Sequence, residues 1–390
     1  MRCKQVASRL RRPASSFVIY ADHNATTPPL PAVVVAMTQA LSAEWGNPGS
    51  KQHAFGRRAL ARIDAARGEV AALLNARPEE IVFTSGATEA CNLAVLGLGE
   101  RLLATRPRFV TCATEHPAIL EPLKRLGEAG AEIVELPVDG QGRLDPAQLD
   151  AALDVRTGLL ALMLANNETG VLHDVASATA LARARGVLTV CDATQALGKV
   201  AVDVAALGVD ALACTGHKVY GPQGCGALWL RRGLGLSPLL HGGGQERNLR
   251  PGTHNLPGIA GFAAACVAAR TELAARAAHL AGLTAALEQR VRALIPGVVV
   301  QGGAVPRIPG TSMFTIPGLP PGWLGTQSEI AVSGGSTCSG GHGSYVLRAM
   351  GWGAAEAGNS VRVGLGLAST AAEVEAIAQS LARGATALRR

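Results

Sequence analysis

The sequence predicts an α/β protein: a large domain built on a mostly parallel sheet with helices on both faces, followed by a smaller α+β C-terminal domain. Three observations carry this expectation. Strand-like apolar runs alternate with helical patterns from about residue 80 to 215, the signature of βαβ units and a parallel sheet. Consecutive strands in that stretch end in small or polar residues, as strands do when their carboxyl ends open onto a ligand crevice. Beyond residue 258 the composition changes to an Ala-rich helical stretch followed by short, separated strands.

Composition bounds the problem further. At 390 residues the chain is long enough for two domains, because single cores stop growing near ~250–300 residues. Hydrophobic residues make up 48%, but no uninterrupted apolar run reaches the ~18 residues of a membrane span, so a soluble protein without membrane contact is expected. Aromatics are only 3%, which argues against the stacking platforms of single-strand binders. The net charge of +7 is carried by arginines spread along helices, a solvated surface rather than a nucleic-acid footprint. Eight cysteines (3, 91, 112, 191, 214, 225, 266, 338) lack C-x-x-C or Cys/His clustering. They read as reduced thiols in a cytoplasmic protein, with no metal site. Residues 1–17 are Arg-rich and free of acids; they read as a flexible tail, with a targeting segment as the other possibility.

In chain order, a short strand at 17–20 runs into the polar, Pro-closed turn 21–29. A helix over 31–43 and a loop of turn formers, 45–53, precede a long helix over 54–75 with Leu60, Ile63, Val70 and Leu73 at helical spacing. The strand 80–84 ends in Ser85-Gly86-Ala87-Thr88-Glu89, with a helix expected over 90–98. Strands follow at 108–112, 132–136, 159–164, 187–191, 209–214 and 225–230, with helices over 118–129, 146–153 and 175–185 between them. After the glycine-rich stretch 241–253 come a helix over 259–292, strands at 298–300, 311–316 and 329–332, helices over 344–350 and 371–387, and the strand-like run 360–366.

What stands at the strand ends is the informative part. Ala87 and Thr88, His116, Asn167, Asp192 with Gln195, then Thr215, His217 and Lys218 each follow a strand. A turn of small residues at a helix N-terminus is an anion site, since unpaired N–H groups and the helix dipole face the same point. Lysine is a movable amine suited to Schiff-base chemistry. Taken alone, Lys218 reads as a surface lysine in a Gly/Pro turn, and His116 equally as a helix cap. Together these residues look like one convergent site. Pyridoxal phosphate needs a lysine for its Schiff base, a carboxylate against the pyridine nitrogen and a phosphate cradle; Lys218, Asp192 and the turn 85–88 supply them. His116 is placed to stack on the ring or move protons. Cys338 lies in a Ser/Gly-rich loop, where an exposed thiolate could attack sulfur. Arg362 could hold a substrate carboxylate through a bidentate pair.

On the stretches 22–28, 46–57, 83–89, 115–117, 166–170, 192–199, 215–226, 241–253, 333–339 and 361–366, the chain resembles the cysteine desulfurases of the NifS/IscS type, within the class V aminotransferases. The resemblance implies pyridoxal phosphate fold type I with a seven-stranded large-domain sheet. Its implied organisation is an N-terminal segment 18–29, a large domain 30–260 and a small domain 261–390 carrying the cysteine loop. It implies Lys218 as the Schiff-base lysine and His116 as the ring-stacking, proton-shuttling histidine. Asp192 would contact the pyridine nitrogen, Gln195 the ring hydroxyl, and Asn167 the cofactor or substrate. Ala87, Thr88, Thr215 and His217 would hold the phosphate, joined by Thr253 from the other subunit of a homodimer. Arg362 would bind the α-carboxylate of L-cysteine. Cys338 would take the sulfur as a persulfide, release alanine and pass the sulfur to an acceptor protein.

Three departures stand out. The loop after Cys338 is shorter than the long mobile loops of close relatives, Pro251 replaces a usual serine, and Gly364 stands where a serine commonly follows the arginine. Other readings on the same scaffold are a selenocysteine lyase, another β-eliminating lyase, and a sulfur-delivery scaffold without turnover.

Overall fold

The computed structural model describes residues 18–320, 322–334 and 343–388. Seven strands, β2 (Ile81–Thr84), β3 (Arg108–Cys112), β4 (Glu132–Leu136), β5 (Thr157–Met163), β6 (Leu188–Asp192), β7 (Ala211–Thr215) and β8 (Gly226–Leu230), form the main sheet. Their spatial order is β2-β8-β7-β6-β5-β3-β4. Strand β8 runs antiparallel to both its neighbours, and every other pairing is parallel. The α/β expectation holds.

Strands buried on both faces read as continuous apolar runs, with alternate residues going to opposite layers. In β2, Ile81 and Phe83 enter one core and Val82 the other; in β3, Val110 and Cys112 oppose Phe109. The first core is closed by α2 (Ala54–Leu73), α6 (Val175–Ala184) and the start of α8 (Leu256–Leu294). The second is closed by α3 (Ala87–Leu102) and α4 (Pro117–Glu128) through Leu93, Leu98, Ile119 and Leu123. Helix starts follow capping chemistry. Asp174 accepts from Ser177 N at 3.1 Å, Asn255 accepts from Gly258 N at 3.1 Å, and Pro146 opens α5 (Pro146–Ala152) behind Asp145.

A three-stranded antiparallel sheet, β12-β10-β9, is built from β9 (Val299–Val300), β10 (Thr311–Thr315) and β12 (Ser360–Gly364). It packs on the far half of α8 (Leu280, Leu287, Val291) and on α11 (Ala371–Leu388) through Val374, Ile377 and Leu381. Helix α8 thus runs from one core to another. Its most apolar 18-residue window has mean hydropathy 1.3, enough by length and composition to cross a membrane, and 50% of that window is buried inside the protein. Its apolar residues are core residues: it packs on α1 (Pro31–Ser42), α2 and α11.

The N-terminal segment joins the two parts. Strand β1 (Ile19–Tyr20) pairs in parallel with β11 (Ile330–Ala331), and Asp22 bridges to Gly364 at the end of β12. Next to it, Asn24 Nδ2 donates to Thr311 Oγ1 at 2.9 Å, and Thr27 N donates to the carbonyl of His217 at 3.0 Å. A Cβ at Gly364 would lie 2.5 Å from Asn24 Oδ1 and 2.9 Å from His23 N. Glycine at this departure from the usual serine lets the N-terminal turn seat directly on β12.

Boundaries differ where periodicity is short. Helix α3 begins at Ala87 rather than 90, so Ala87 and Thr88 belong to its first turn; α7 (Val204–Leu207) and α10 (Ala354–Gly358) are too short to show a helical pattern and were not expected.

The loop between β8 and α8 carries three successive non-glycine residues with positive φ: Glu246 (45°), Arg247 (58°) and Asn248 (65°). Each left-handed residue costs free energy and persists only where neighbours over-determine it. Glu246 does so here. Its carboxylate accepts from Arg67 at 2.6 and 2.7 Å, from Phe83 N at 2.8 Å, and contacts His254 Nε2 at 2.7 Å. Burial alone would push its pKa up; the hydrogen bonds from Arg67, His254 and Phe83 outweigh it and hold it at about 2. A carboxyl depressed in the folded state stabilises above its ordinary value and loses that contribution as pH falls through the folded value. Glu246→Gln is therefore expected to lower stability at pH 7 by about 3 kcal/mol. The gap between variant and wild type should narrow from about pH 4.5 down toward pH 2, as measured by urea unfolding across that range; a gap independent of pH would refute the assignment.

Candidate active site

The carboxyl ends of β2, β3, β5, β6 and β7 open onto one cavity of about 610 Å³, in the size range of small-molecule sites. Ala87, Thr88, His116, Asn167, Asp192, Gln195, Thr215, His217, Lys218 and Arg362 all line it. Thr253 is exposed and is not among its lining residues, and Cys338 lies outside the described residues.

At one end is the N-terminus of α3. Gly86 caps it with no side-chain hydrogen bond, which leaves first-turn N–H groups for a ligand. The turn reaches the sheet because β8 begins with glycine: a Cβ at Gly226 would lie 2.7 Å from Gly86 Cα. Glu89 accepts from Ser85 N at 2.7 Å and from Arg250 Nε at 2.9 Å. Burial raises its pKa, but the hydrogen bonds from Arg250 and Ser85 lower it further, so the turn keeps a compensated carboxylate. Thr215 Oγ1 donates to the carbonyl of Cys225 at 3.1 Å, and His217 Nδ1 lies 3.2 Å from Thr26 Oγ1. Burial and the neighbouring Lys218 push His217 down to about 4, so it is neutral at pH 7.

Across the middle, Asp192 ends β6 and accepts from Thr194 N at 2.9 Å. His116 caps α4, its Nδ1 accepting from Ala118 N at 3.1 Å. The two readings of this histidine coexist: the cap fixes Nδ1 as acceptor, so the neutral ring carries its proton on Nε2. Burial lowers its pKa, Asp192 opposes this and Lys218 adds to it. Lys218 sits in the 3₁₀ turn Gly216–Lys218, and its Nζ donates to the backbone carbonyls of Asn24 and of Ala25, the latter at 2.7 Å.

At the other end stands Arg362, buried on β12. One terminal nitrogen donates to the Asn167 carbonyl at 3.0 Å and the other to Asp22 at 2.7 Å. Asn167 is presented by an Asx turn in which Asn166 Oδ1 accepts from Glu168 N and Thr169 N at 2.9 and 3.0 Å. Three residues absent from the sequence-based list belong here. Asn24 supplies a carbonyl to both Lys218 and Gln195, Asp22 holds Arg362, and Lys199 donates to Gln195 Oε1 at 3.0 Å. The signal for the first two was the dense polar turn 21–29; Lys199 gave none beyond its spacing of four from Gln195.

These residues fit pyridoxal phosphate. Asn167, Thr194 and Arg362 line the cavity, and among the described residues their buried Oδ1, Oγ1 and Nε atoms have no hydrogen-bond partner, an uncommon state for buried polar groups that marks a site built for a ligand. The donor set matches the cofactor's parts: an uncapped helix N-terminus for a phosphate, a carboxylate for a ring nitrogen and an amine for an aldehyde. Fold and site together define a fold type I pyridoxal phosphate enzyme.

Comparison with known proteins narrows the class. The aminotransferase class-V family matches residues 19–377. The chain is 43% identical to the cysteine desulfurase IscS of Anaeromyxobacter sp. (strain K) over 364 residues, 92% of this chain and 90% of that one. Among solved structures it resembles a NifS-like protein (TM-score 0.88, 32% identity, 95% of this chain and 100% of that one). It also resembles SspA in complex with cysteine (TM-score 0.77, 30% identity, 89% and 99% covered). The chain belongs to the class V aminotransferase family and, within it, to the cysteine desulfurases of the NifS/IscS type.

Proposed function

We propose that the protein converts L-cysteine to L-alanine, leaving the sulfur as a persulfide on Cys338 for transfer to an acceptor protein. The observation that carries this reading is the convergence of Lys218, Asp192, His116 and Arg362 on one cavity. Names and bound ligands of relatives support it: IscS proteins are named cysteine desulfurases, and SspA was solved with cysteine.

Bound pyridoxal phosphate would supply an electron-accepting ring that stabilises negative charge at the substrate's α-carbon. The turn 85–88 with Thr215 and His217 would hold its phosphate, Asp192 its pyridine nitrogen and Gln195 its ring hydroxyl. Lys218 is the amine that would join its aldehyde. Arg362, already fixed by Asp22 and the Asn167 carbonyl, would hold the substrate carboxylate, with the Asn167 side chain beside it. Once displaced by substrate, Lys218 Nζ would take the α-proton, and His116 Nε2 would hand a proton on. The Cys338 thiolate would bond to the substrate sulfur as the carbon–sulfur bond breaks, and the three-carbon product, reprotonated, would leave as alanine.

Thr253, exposed on its own chain, would reach the phosphate site of a second subunit. Glu89 and Arg250 couple the phosphate turn to the loop bearing Thr253, which suits a homodimer with shared sites. The main-sheet cores and the β9–β12 core are taken as large and small domains divided near residue 260. Six unpaired, buried cysteines among the described residues suit a reducing, cytoplasmic setting.

Cys338→Ser tests the reading. It should bind pyridoxal phosphate like wild type and lose more than about 99% of alanine formation from L-cysteine. Wild type treated with substrate should carry one extra sulfur on the peptide containing Cys338, read by mass spectrometry. Alanine formation by Cys338→Ser at the wild-type rate would overturn the nucleophile assignment.

A further inference from the structure

Lysine is rarely buried without an anion, because removing an ammonium from water is costly unless it is paired. Lys199 is 7% exposed, and among the described residues it forms no salt bridge. It lies in the turn after β6, four residues beyond Gln195, and its hydrogen-bond partner there is Gln195 Oε1 at 3.0 Å. On the opposite side of the same amide, Gln195 Nε2 donates to the Asn24 carbonyl at 2.9 Å. That carbonyl also accepts from Lys218 Nζ. A chain of contacts thus runs Lys199–Gln195–Asn24–Lys218.

The two contacts on Gln195 are of opposite sense. The Asn24 carbonyl only accepts, so it requires the amide nitrogen on its side; the oxygen then faces Lys199, whose Nζ can donate to it in either protonation state. One Nε2 hydrogen is used on Asn24, and the second is left for the cavity that Gln195 lines. We propose that Lys199 is a positioning residue: through its contact with Gln195 Oε1 it holds that amide so that an N–H remains available to the ring hydroxyl of pyridoxal phosphate. This rests on the cofactor reading above.

The charged groups around Lys199 sharpen the inference. Lys218 faces it from the turn after β7 and Arg362 from β12, the latter paired with Asp22; His23 of the N-terminal turn feels its charge. Burial, then Lys218 and Arg362, push Lys199 down to about 7. The positively charged form of Lys199 therefore gives way to the neutral amine around neutral pH. Below about pH 7, where Lys199 is still charged, it favours release of a proton held at Lys218 Nζ, so removing it lets that proton persist to higher pH.

The test uses stripped wild type, Lys199→Met, Gln195→Ala and the double variant, each titrated with pyridoxal phosphate and with 3-deoxypyridoxal phosphate, which lacks the ring hydroxyl. Lys199→Met is expected to bind pyridoxal phosphate roughly tenfold more weakly and the deoxy analogue about as well as wild type does. The double variant should bind no more weakly than Gln195→Ala alone. In the reloaded protein, the pH midpoint of the visible absorbance should rise in Lys199→Met by roughly one pH unit. Equal losses for both ligands, additive losses in the double variant, or an unmoved midpoint would overturn the proposal. Lys199→Gln, which keeps a shorter donor, is read by the same assays and replaces Lys199→Met if the latter is insoluble. Failure of wild type itself to bind pyridoxal phosphate would instead overturn the cofactor reading.

Discussion

Lys218→Ala is expected to purify without colour and to form alanine from L-cysteine at less than about a thousandth of the wild-type rate. The argument starts from where the amine is held. Lys218 closes the 3₁₀ turn after β7, and its Nζ donates to the carbonyls of Asn24 and Ala25 in the N-terminal turn. Two backbone acceptors from a segment almost 200 residues away place the amine at the cavity rather than in solvent. Alanine removes the amine that would join an aldehyde and take a proton from the α-carbon. It leaves the fold intact, because Gly216, Val219 and the flanking strands β7 and β8 carry the packing. Borohydride reduction of loaded wild type, followed by peptide mapping, should mark Lys218. A mark on Lys199, the buried lysine beside Gln195, would move the chemistry to that residue.

Much of this arrangement was legible in the sequence, for reasons of burial. Parallel strands covered on both faces must be apolar throughout, so β3, β5, β6 and β7 read as runs; the polar residues that follow their ends line the cavity. Asp192, His116 and the turn 85–88 could be found because their chemistry and position coincide. Other contributions left no trace. Asn24 acts on Lys218 through its backbone carbonyl, which any residue would supply at that point. The partnership of Asp22 and Arg362 spans 340 positions and exists only because β12 lies beside the N-terminal turn. Lys199 looks like any lysine after a glycine until tertiary packing removes its water. The small and polar run Ser85–Glu89 reads as a turn before a helix from residue 90, whereas Gly86 is itself the cap and Ala87 to Glu89 form the first helical turn.

Arg362→Lys is the second large effect. It should lower kcat/KM for L-cysteine by roughly 100-fold, with most of the loss in KM. Both terminal nitrogens of Arg362 are engaged, one with Asp22 at 2.7 Å and one with the Asn167 carbonyl at 3.0 Å, while among the described residues Nε has no partner. The guanidinium plane is therefore fixed before substrate arrives, and its remaining donors keep a forked geometry that matches a carboxylate. Lysine keeps the charge but has one nitrogen, which cannot meet Asp22, the Asn167 carbonyl and a substrate carboxylate together. Charge retention should spare β12, whose register with β10 is set by backbone pairing of Arg362 with Met313. The discriminating measurement compares L-cysteine with cysteamine, which lacks the carboxylate. Wild type should prefer L-cysteine by a wide margin, and the margin should collapse in Arg362→Lys because the carboxylate is the group that distinguishes the two substrates. A variant that lost activity on both substrates in equal proportion would show that Arg362 supports the fold rather than the substrate.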